Sequence, residues 1–147
     1  MKNTILLVED ETKTGDMLKQ ALETEGIDVV WAIDGKDAIS KMVKGKYDLI
    51  ILDLKLPEIS GDEVLEQVRI IDPYVDVIVY TNYQDPPVMK KLINLGVEGY
   101  INKGADADLW GTVEMVKARL DPLSAKERDD LLSSTPPGMF NEENSGE

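Results

Sequence analysis

The chain has 147 residues, a net charge of −13 and 42% hydrophobic residues, which is enough for one globular domain with a sizeable core. The acidic excess argues against direct binding of nucleic acid, because such binding requires a basic face. The lack of cysteine and histidine excludes disulfides, thiolate zinc sites, histidine metal ligands and His-dependent catalytic triads, and no run of about 18 apolar residues predicts a membrane span.

Strand-like and helix-like segments alternate along the chain in five units of about 20 to 25 residues. The predicted strands are apolar runs at residues 4–8, 27–32, 49–52, 75–80 and 98–102. Apolar residues at helical spacing predict the helices between them; the second is expected to reach about Gly45, and Ser60 with Glu63 predicts a capping box for the third. We interpret Trp31 and Trp110 as packing residues, with a partner surface as the alternative for Trp110. The alternation predicts an α/β protein with a parallel sheet covered on both faces.

Chemically useful side chains follow four of these strands: Glu9 and Asp10, Asp53, Thr81 and Lys103. Ligands of open α/β sheets bind beyond the carboxyl ends of the strands, so we expect these residues to share one site. Three carboxylates suit a hard divalent cation, and Mg2+ fits best. Each residue taken alone is more often a turn, cap or surface residue, so the convergence carries the functional interpretation.

The motifs at these strand ends resemble those of the two-component response-regulator receiver domain. The matching segments are LLVEDE (6–11), AIDGKDA (32–38), DLKLPEISG (53–61), YT (80–81) and GYINK (99–103). Each motif alone is weak, but five in order at the right strand ends are specific. The resemblance covers roughly residues 3–120 and implies a flavodoxin-like, doubly wound fold, a five-stranded parallel sheet with strand order 2-1-3-4-5.

The resemblance also implies the chemistry of the site. Asp53 would be the phosphoacceptor, whose carboxylate takes a phosphoryl group from a histidine of a partner kinase. Mg2+ would be held by Glu9, Asp10, Asp53 and the backbone carbonyl of Lys55. The chain would then be a signalling phosphoacceptor, and its only catalysis would be transfer of the phosphoryl group to and from itself.

Three further residues would detect the phosphoryl group by the same resemblance. Lys103 would pair with its oxygens, and Thr81 would donate its hydroxyl to one of them. Tyr100 would then rotate inward and change the face formed by the fourth helix, fifth strand and fifth helix. Two positions depart from the family pattern: Gly104 replaces the usual proline after Lys103, and Asn82 replaces a small residue after Thr81.

The implied partners are a sensor histidine kinase or phosphotransfer protein and a downstream protein that the sequence does not identify. A homodimer through the fourth-helix, fifth-strand and fifth-helix face is an open alternative to a monomer. The chain becomes acidic at Glu9, too early for the apolar core of a secretion signal, so we expect a cytoplasmic protein without membrane contact.

Two other functions compete with this interpretation. A pseudo-receiver would bind its partners without phosphorylation, and the departures at Asn82 and Gly104 keep that alternative open. A haloacid dehalogenase-type phosphatase also uses an Asp nucleophile with Mg2+, but it needs a second Asp where this chain has Lys55. The phosphatase is therefore the remoter alternative.

The predicted domain organisation is a receiver domain at residues 1–120 and an acidic tail at residues 121–147. Ser124 and Glu127 again have capping-box spacing, which predicts a short helix at residues 125–132. The polar residues after Pro136-Pro137-Gly138 are expected to be disordered, and no output domain is predicted.

Overall fold

The computed structural model of the chain describes residues 2–81, 85–102 and 109–121. Within these residues, five parallel strands alternate with five helices. The elements are β1 (Thr4–Val8), α1 (Thr12–Thr24), β2 (Asp28–Ala32), α2 (Gly35–Lys41), β3 (Leu49–Leu52), α3 (Gly61–Ile71), β4 (Asp76–Thr81), α4 (Pro86–Asn94), β5 (Gly99–Asn102) and α5 (Leu109–Leu120). The sheet order is β2-β1-β3-β4-β5, which confirms the predicted flavodoxin-like order.

The centre of the sheet is buried on both faces, as its uninterrupted apolar strands require. All four residues of β3 are buried, and β3 pairs with β1 on one side and β4 on the other. Successive strand residues point to opposite faces, so alternate residues of each strand share one core. On one face this core combines strand residues with apolar residues of α2, α3 and α4: Leu6, Val8, Ile50, Leu52, Val77, Val79, Ala38, Val64, Leu65, Val68 and Leu92. The sheet is therefore a rigid platform for the residues at its ends.

The helix boundaries confirm one prediction and contradict another. The Glu63 carboxylate accepts a hydrogen bond from the Ser60 N–H at 3.2 Å, so the predicted capping-box pairing at the start of α3 is present. Helix α2 ends at Lys41, which makes its predicted extension to Gly45 wrong. Met42 has an extended backbone (φ −71°, ψ 130°) yet is buried, so it reaches the core without continuing the helix.

The two tryptophans differ in their surroundings. Trp31 of β2 is half-buried and makes a specific hydrogen bond, described below. Trp110 is 60% exposed at the start of α5, which contradicts a packing role and agrees with the alternative of a surface position.

The outer edge of β2 is covered by an ion pair from α2. The carbonyl of Trp31 accepts a hydrogen bond from Lys41 Nζ at 3.1 Å, and the N–H of Ile33 donates to Asp37 Oδ2 at 3.0 Å. Asp37 and Lys41 also bind each other at 2.8 Å. The pair occupies backbone groups that would otherwise offer a site for strand addition, so it protects the edge of the sheet.

The chain forms two compact units, residues 1–113 and 114–147. The first contains the whole sheet, α1 to α4 and the start of α5. In the second, the described part is the rest of α5 with Asp121, and Lys117 pairs with Glu114 there at 3.6 Å. None of the described helices combines the length and apolar content needed to span a membrane. The domain boundary at residue 120 stays a prediction, and the predicted helix at 125–132 lies outside the described residues.

Candidate functional site

Strands β1 and β3 carry the acidic residues to the same end of the sheet. Val8 and Leu52, the last residues of these strands, are partners in the parallel register, so the residues that follow them lie side by side. The Asp53 N–H donates to the Val8 carbonyl at 3.1 Å, which continues the ladder by one hydrogen bond. On the other side of β1, the Glu9 N–H donates to the Ala32 carbonyl at 3.0 Å. The backbones of both acidic residues are thus fixed by the sheet.

The predicted convergence of the carboxylates is present in the structure. Glu9, Asp10 and Asp53 each place one carboxylate oxygen within 4.8 Å of the other two. Glu9 and Asp53 are only 1% and 5% exposed, whereas Asp10 is exposed to solvent. At 4.8 Å, two unit negative charges repel by about 0.9 kcal/mol in water and by about 3.5 kcal/mol at an effective dielectric constant of about 20. The group therefore favours a bound cation.

Local backbone donors orient two of these carboxylates. The Glu11 N–H donates to Glu9 Oε2 at 3.1 Å, and the Lys55 N–H donates to Asp53 Oδ1 at 3.2 Å. Oxygen ligands of this kind, with one solvent-facing member, fit Mg2+, a hard cation that takes carboxylate oxygens and keeps several waters. The donor chemistry therefore agrees with the predicted metal. The Lys55 carbonyl as a further ligand stays a prediction.

The other predicted residues lie at the ends of β4 and β5. Thr81 is the last residue of β4, is fully buried and pairs with Asn102 of β5. Tyr100 pairs with Val79 and packs partly buried against the core, and this burial raises the pKa of its phenol above the ordinary value of 10.0. Lys103 follows Asn102 directly, but it lies outside the described residues, as do Asn82 and Gly104.

Gly61 helps to form the site, although its sequence motif alone does not assign it a role there. A Cβ at this position would lie 2.4 Å from the Asp53 carbonyl oxygen and 2.5 Å from the Leu54 Cα. The Gly61 N–H donates to the Leu54 carbonyl at 2.8 Å. Helix α3 can begin this close to Asp53 only because position 61 has no side chain. A glycine directly after the cap residue Ser60 was the available sequence signal.

The fold and the site together define a class: a doubly wound domain whose acidic group lies beyond its two central strands. Comparisons with known proteins identify the family. The sequence model of the response regulator receiver domain matches residues 5–113. The chain therefore belongs to the response regulator receiver family, the CheY-like domains of two-component signalling, which are signalling phosphoacceptors with an acidic pocket for Mg2+.

Individual relatives support the same assignment. Sporulation initiation phosphotransferase F of Bacillus subtilis is 30% identical over 108 residues, which cover 74% of this chain and 87% of that protein. Transcriptional regulatory protein TrcR of Mycobacterium tuberculosis is 38% identical over 101 residues, which cover 67% of this chain and 38% of that protein. The chain spans less than half of several curated relatives, with coverages of 28%, 45% and 38%.

Two solved structures show the same architecture. The CheY-like receiver domain protein of Methanospirillum hungatei JF-1 superposes with a TM-score of 0.76 at 28% identity, covering 88% of this chain and 99% of that one. The non-phosphorylated HemR receiver domain of Leptospira biflexa gives the same TM-score at 25% identity, covering 82% of this chain and 95% of that one.

Proposed function

We propose that the chain is a phosphoacceptor in a histidine-to-aspartate relay and that Asp53 carries the phosphoryl group. The convergence of three carboxylates beyond β1 and β3, within 4.8 Å of one another, is the observation that carries this proposal. Asp53 is the member that follows the central strand β3, and its Oδ1 accepts the Lys55 N–H. That hydrogen bond orients the Asp53 carboxylate at the end of the strand.

In the proposed reaction, an Asp53 oxygen attacks the phosphorus of a phosphohistidine on the partner. The new P–O bond forms an acyl phosphate, the P–N bond breaks, and the imidazole leaves with the electron pair of that bond. This transfer requires in-line positioning of the reacting groups and neutralisation of the phosphoryl charge. It does not require another residue to form a covalent bond. Mg2+ bound by Glu9, Asp10, Asp53 and the Lys55 carbonyl would neutralise the phosphoryl oxygens, and Lys103 would supply a second positive charge.

Phosphorylation would be transmitted through β4 and β5. The Thr81 hydroxyl, buried at the end of β4, would move to donate to a phosphoryl oxygen, and Tyr100 on the neighbouring strand would turn inward. Tyr100 already packs against the core, so a change in its rotamer would alter the packing of the sheet edge next to it. The face of α4, β5 and α5 would then bind a downstream protein or a second copy of the chain.

A sensor histidine kinase or a phosphotransfer protein in the cytoplasm would supply the phosphoryl group. The resemblance to a protein named as a phosphotransferase, of which the chain covers 87%, supports a role within a relay. The relatives named as transcriptional regulators are much longer than the matched segment. We therefore do not assign transcriptional regulation to this chain.

Intact mass after incubation with a small-molecule phosphodonor and Mg2+ tests the proposal. Wild type should gain one phosphoryl group, and chelation of Mg2+ should prevent the gain. Asp53→Asn should gain none. Asp48→Asn is the matched control, because Asp48 precedes the same strand at its opposite end, where its carboxylate accepts a hydrogen bond from the Thr4 N–H at 2.8 Å. This variant should be phosphorylated like wild type.

Each other outcome has a definite meaning. A folded wild type that gains no phosphoryl group would refute the phosphoacceptor proposal and favour a pseudo-receiver. Multiple-turnover hydrolysis of a phosphate monoester would favour the phosphatase, because a receiver releases only the phosphoryl group that it has itself accepted. Phosphorylation that persists in Asp53→Asn would place the acceptor at another residue.

A further inference from the structure

Trp31 makes a hydrogen bond that reaches from β2 to the carboxylate site. Its indole Nε1–H donates to the backbone carbonyl oxygen of Glu9 at 2.9 Å. Trp31 is paired with Leu7 in the register of β1 and β2, so its side chain extends past the end of β1 to reach Glu9. The contact joins two residues 22 positions apart in sequence.

Trp31 is held by three other parts of the fold, one at its indole and two at its backbone. A Cβ at Gly15 of α1 would lie 2.1 Å from Cζ2 and 2.4 Å from Cε2 of Trp31, so the ring occupies space that only a glycine leaves open. The backbone carbonyl of Trp31 accepts from Lys41 Nζ at 3.1 Å, and Lys41 is itself held by Asp37 at 2.8 Å. The strand pairing with β1 fixes the remaining backbone. The indole N–H therefore has little freedom to follow a movement of the Glu9 carbonyl. The hydrogen bond instead holds the Glu9 carbonyl in place.

The carbonyl that Trp31 binds belongs to the peptide group between Glu9 and Asp10, the two acidic residues that follow β1. Because a peptide group is planar, fixing the Glu9 carbonyl also fixes the direction of the Asp10 N–H. The Glu9 N–H is already bound to the Ala32 carbonyl at 3.0 Å. With both of its backbone polar groups bound to β2, Glu9 has a fixed backbone from which its carboxylate and that of Asp10 project towards Asp53.

We propose that Trp31 is a positioning residue of the carboxylate site: its indole N–H holds the Glu9–Asp10 peptide group so that both carboxylates are pre-organised for a divalent cation. This inference rests on the proposed binding of Mg2+ by Glu9, Asp10 and Asp53. The three carboxylates repel one another before the cation binds, so without this anchor the loop would relax and would have to be reordered on binding.

Isothermal titration with Mg2+ tests the role of Trp31. Trp31→Phe removes the donor, and we expect its Kd for Mg2+ to rise by about three- to tenfold, within the range that one neutral hydrogen bond contributes. Trp110→Phe is the matched control, because Trp110 is 60% exposed and is the other of the two tryptophans. Its Kd should equal that of wild type.

A second replacement separates positioning from packing. Benzothienylalanine at position 31 keeps the shape of the ring but replaces the N–H by sulfur, so packing against Gly15 is kept and only the donor is lost. It should weaken Mg2+ binding as Trp31→Phe does, with a smaller loss of thermal stability.

In the Trp110→Phe background, Trp31 is the remaining tryptophan. Its fluorescence should change when Mg2+ is added, and it should stay constant when Asp10→Asn is also present.

The outcomes distinguish failure of this inference from failure of the metal site. Wild-type affinity in both position-31 variants would overturn the positioning role while leaving the Mg2+ site intact. A lower unfolding temperature with unchanged Kd would assign Trp31 to packing alone. A wild-type protein that binds no Mg2+ would overturn the metal site itself and the role of Trp31 with it.

Discussion

Replacing Asp10 by asparagine should stabilise the metal-free protein and abolish its stabilisation by Mg2+. Asp10 contributes one of three carboxylate oxygens that lie within 4.8 Å of one another, so it faces two negative charges. Each pair repels by about 0.9 kcal/mol in the limit of full water screening. Because Asp10 is exposed, we take this lower limit and expect a gain of about 1–2 kcal/mol for Asp10→Asn in the absence of metal.

The effect should reverse when Mg2+ is added. A ligand present at about 100 times its Kd stabilises the folded state by about 2.7 kcal/mol, and wild type should gain this amount. Asp10→Asn has lost a charged ligand, so its stability should change little over the same concentration range. The order of stability of the two proteins should therefore be opposite in the two conditions.

Urea unfolding followed by circular dichroism, in EDTA and in excess Mg2+, measures both effects. Asp16→Asn on α1 is the matched control, because it removes the same charge from an exposed position outside the carboxylate group. It accounts for the general relief of repulsion in a chain with a net charge of −13. A metal-free Asp10→Asn that is no more stable than wild type would refute the repulsion argument and would mean that the fold already neutralises these charges.

Three further predictions follow from individual contacts. Gly61→Ala should cost about 1–3 kcal/mol in urea unfolding and weaken Mg2+ binding, because its Cβ would meet the backbone of Asp53 and Leu54. Gly35→Ala, whose nearest clash is with a side chain, should lose stability with unchanged Mg2+ affinity. The hydrogen bond from Lys41 lowers the pKa of Asp37 below its ordinary value of 3.8. Wild type should therefore be more stable than Asp37→Asn, by less than about 1 kcal/mol, at pH values above 3.8. This difference should disappear as the pH falls through the lowered pKa. Burial raises the pKa of Tyr100, so an ultraviolet titration should contain a phenolate step above pH 10.0 that Tyr100→Phe removes; its persistence in that variant would contradict the assignment.

Most of the fold could be predicted from the sequence, because its elements depend on local patterns. Apolar runs such as Leu49–Leu52 and glycines at helix ends mark the strands and helices with little reference to the rest of the chain. The strand order followed from the family motifs, since periodicity cannot specify which strands are neighbours. The end of α2 was predicted wrongly because Met42 keeps helical spacing in sequence but reaches the core from an extended backbone.

The acidic part of the site could also be predicted, because parallel strands bring their carboxyl ends to one edge. That rule places Glu9, Asp10 and Asp53 together whatever the details of packing, and the structure confirms their convergence. The roles of Thr81, Tyr100 and Lys103 stay predictions, since they describe a phosphorylated state and Lys103 lies outside the described residues.

The sequence by itself determined the type of fold and the acidic residues, whereas the tertiary structure decided how those residues are held. The approach of Gly61 to the Asp53 carbonyl and the hydrogen bond from Trp31 to Glu9 join residues of different elements. Such contacts depend on strand register, helix placement and side-chain rotamer together, and no local pattern encodes that combination. Trp31 therefore shows no sign of its role in the sequence, and the sign for Gly61 is only its place directly after the cap residue Ser60. The partners of both residues become neighbours only when the sheet has formed and the helices have packed on it.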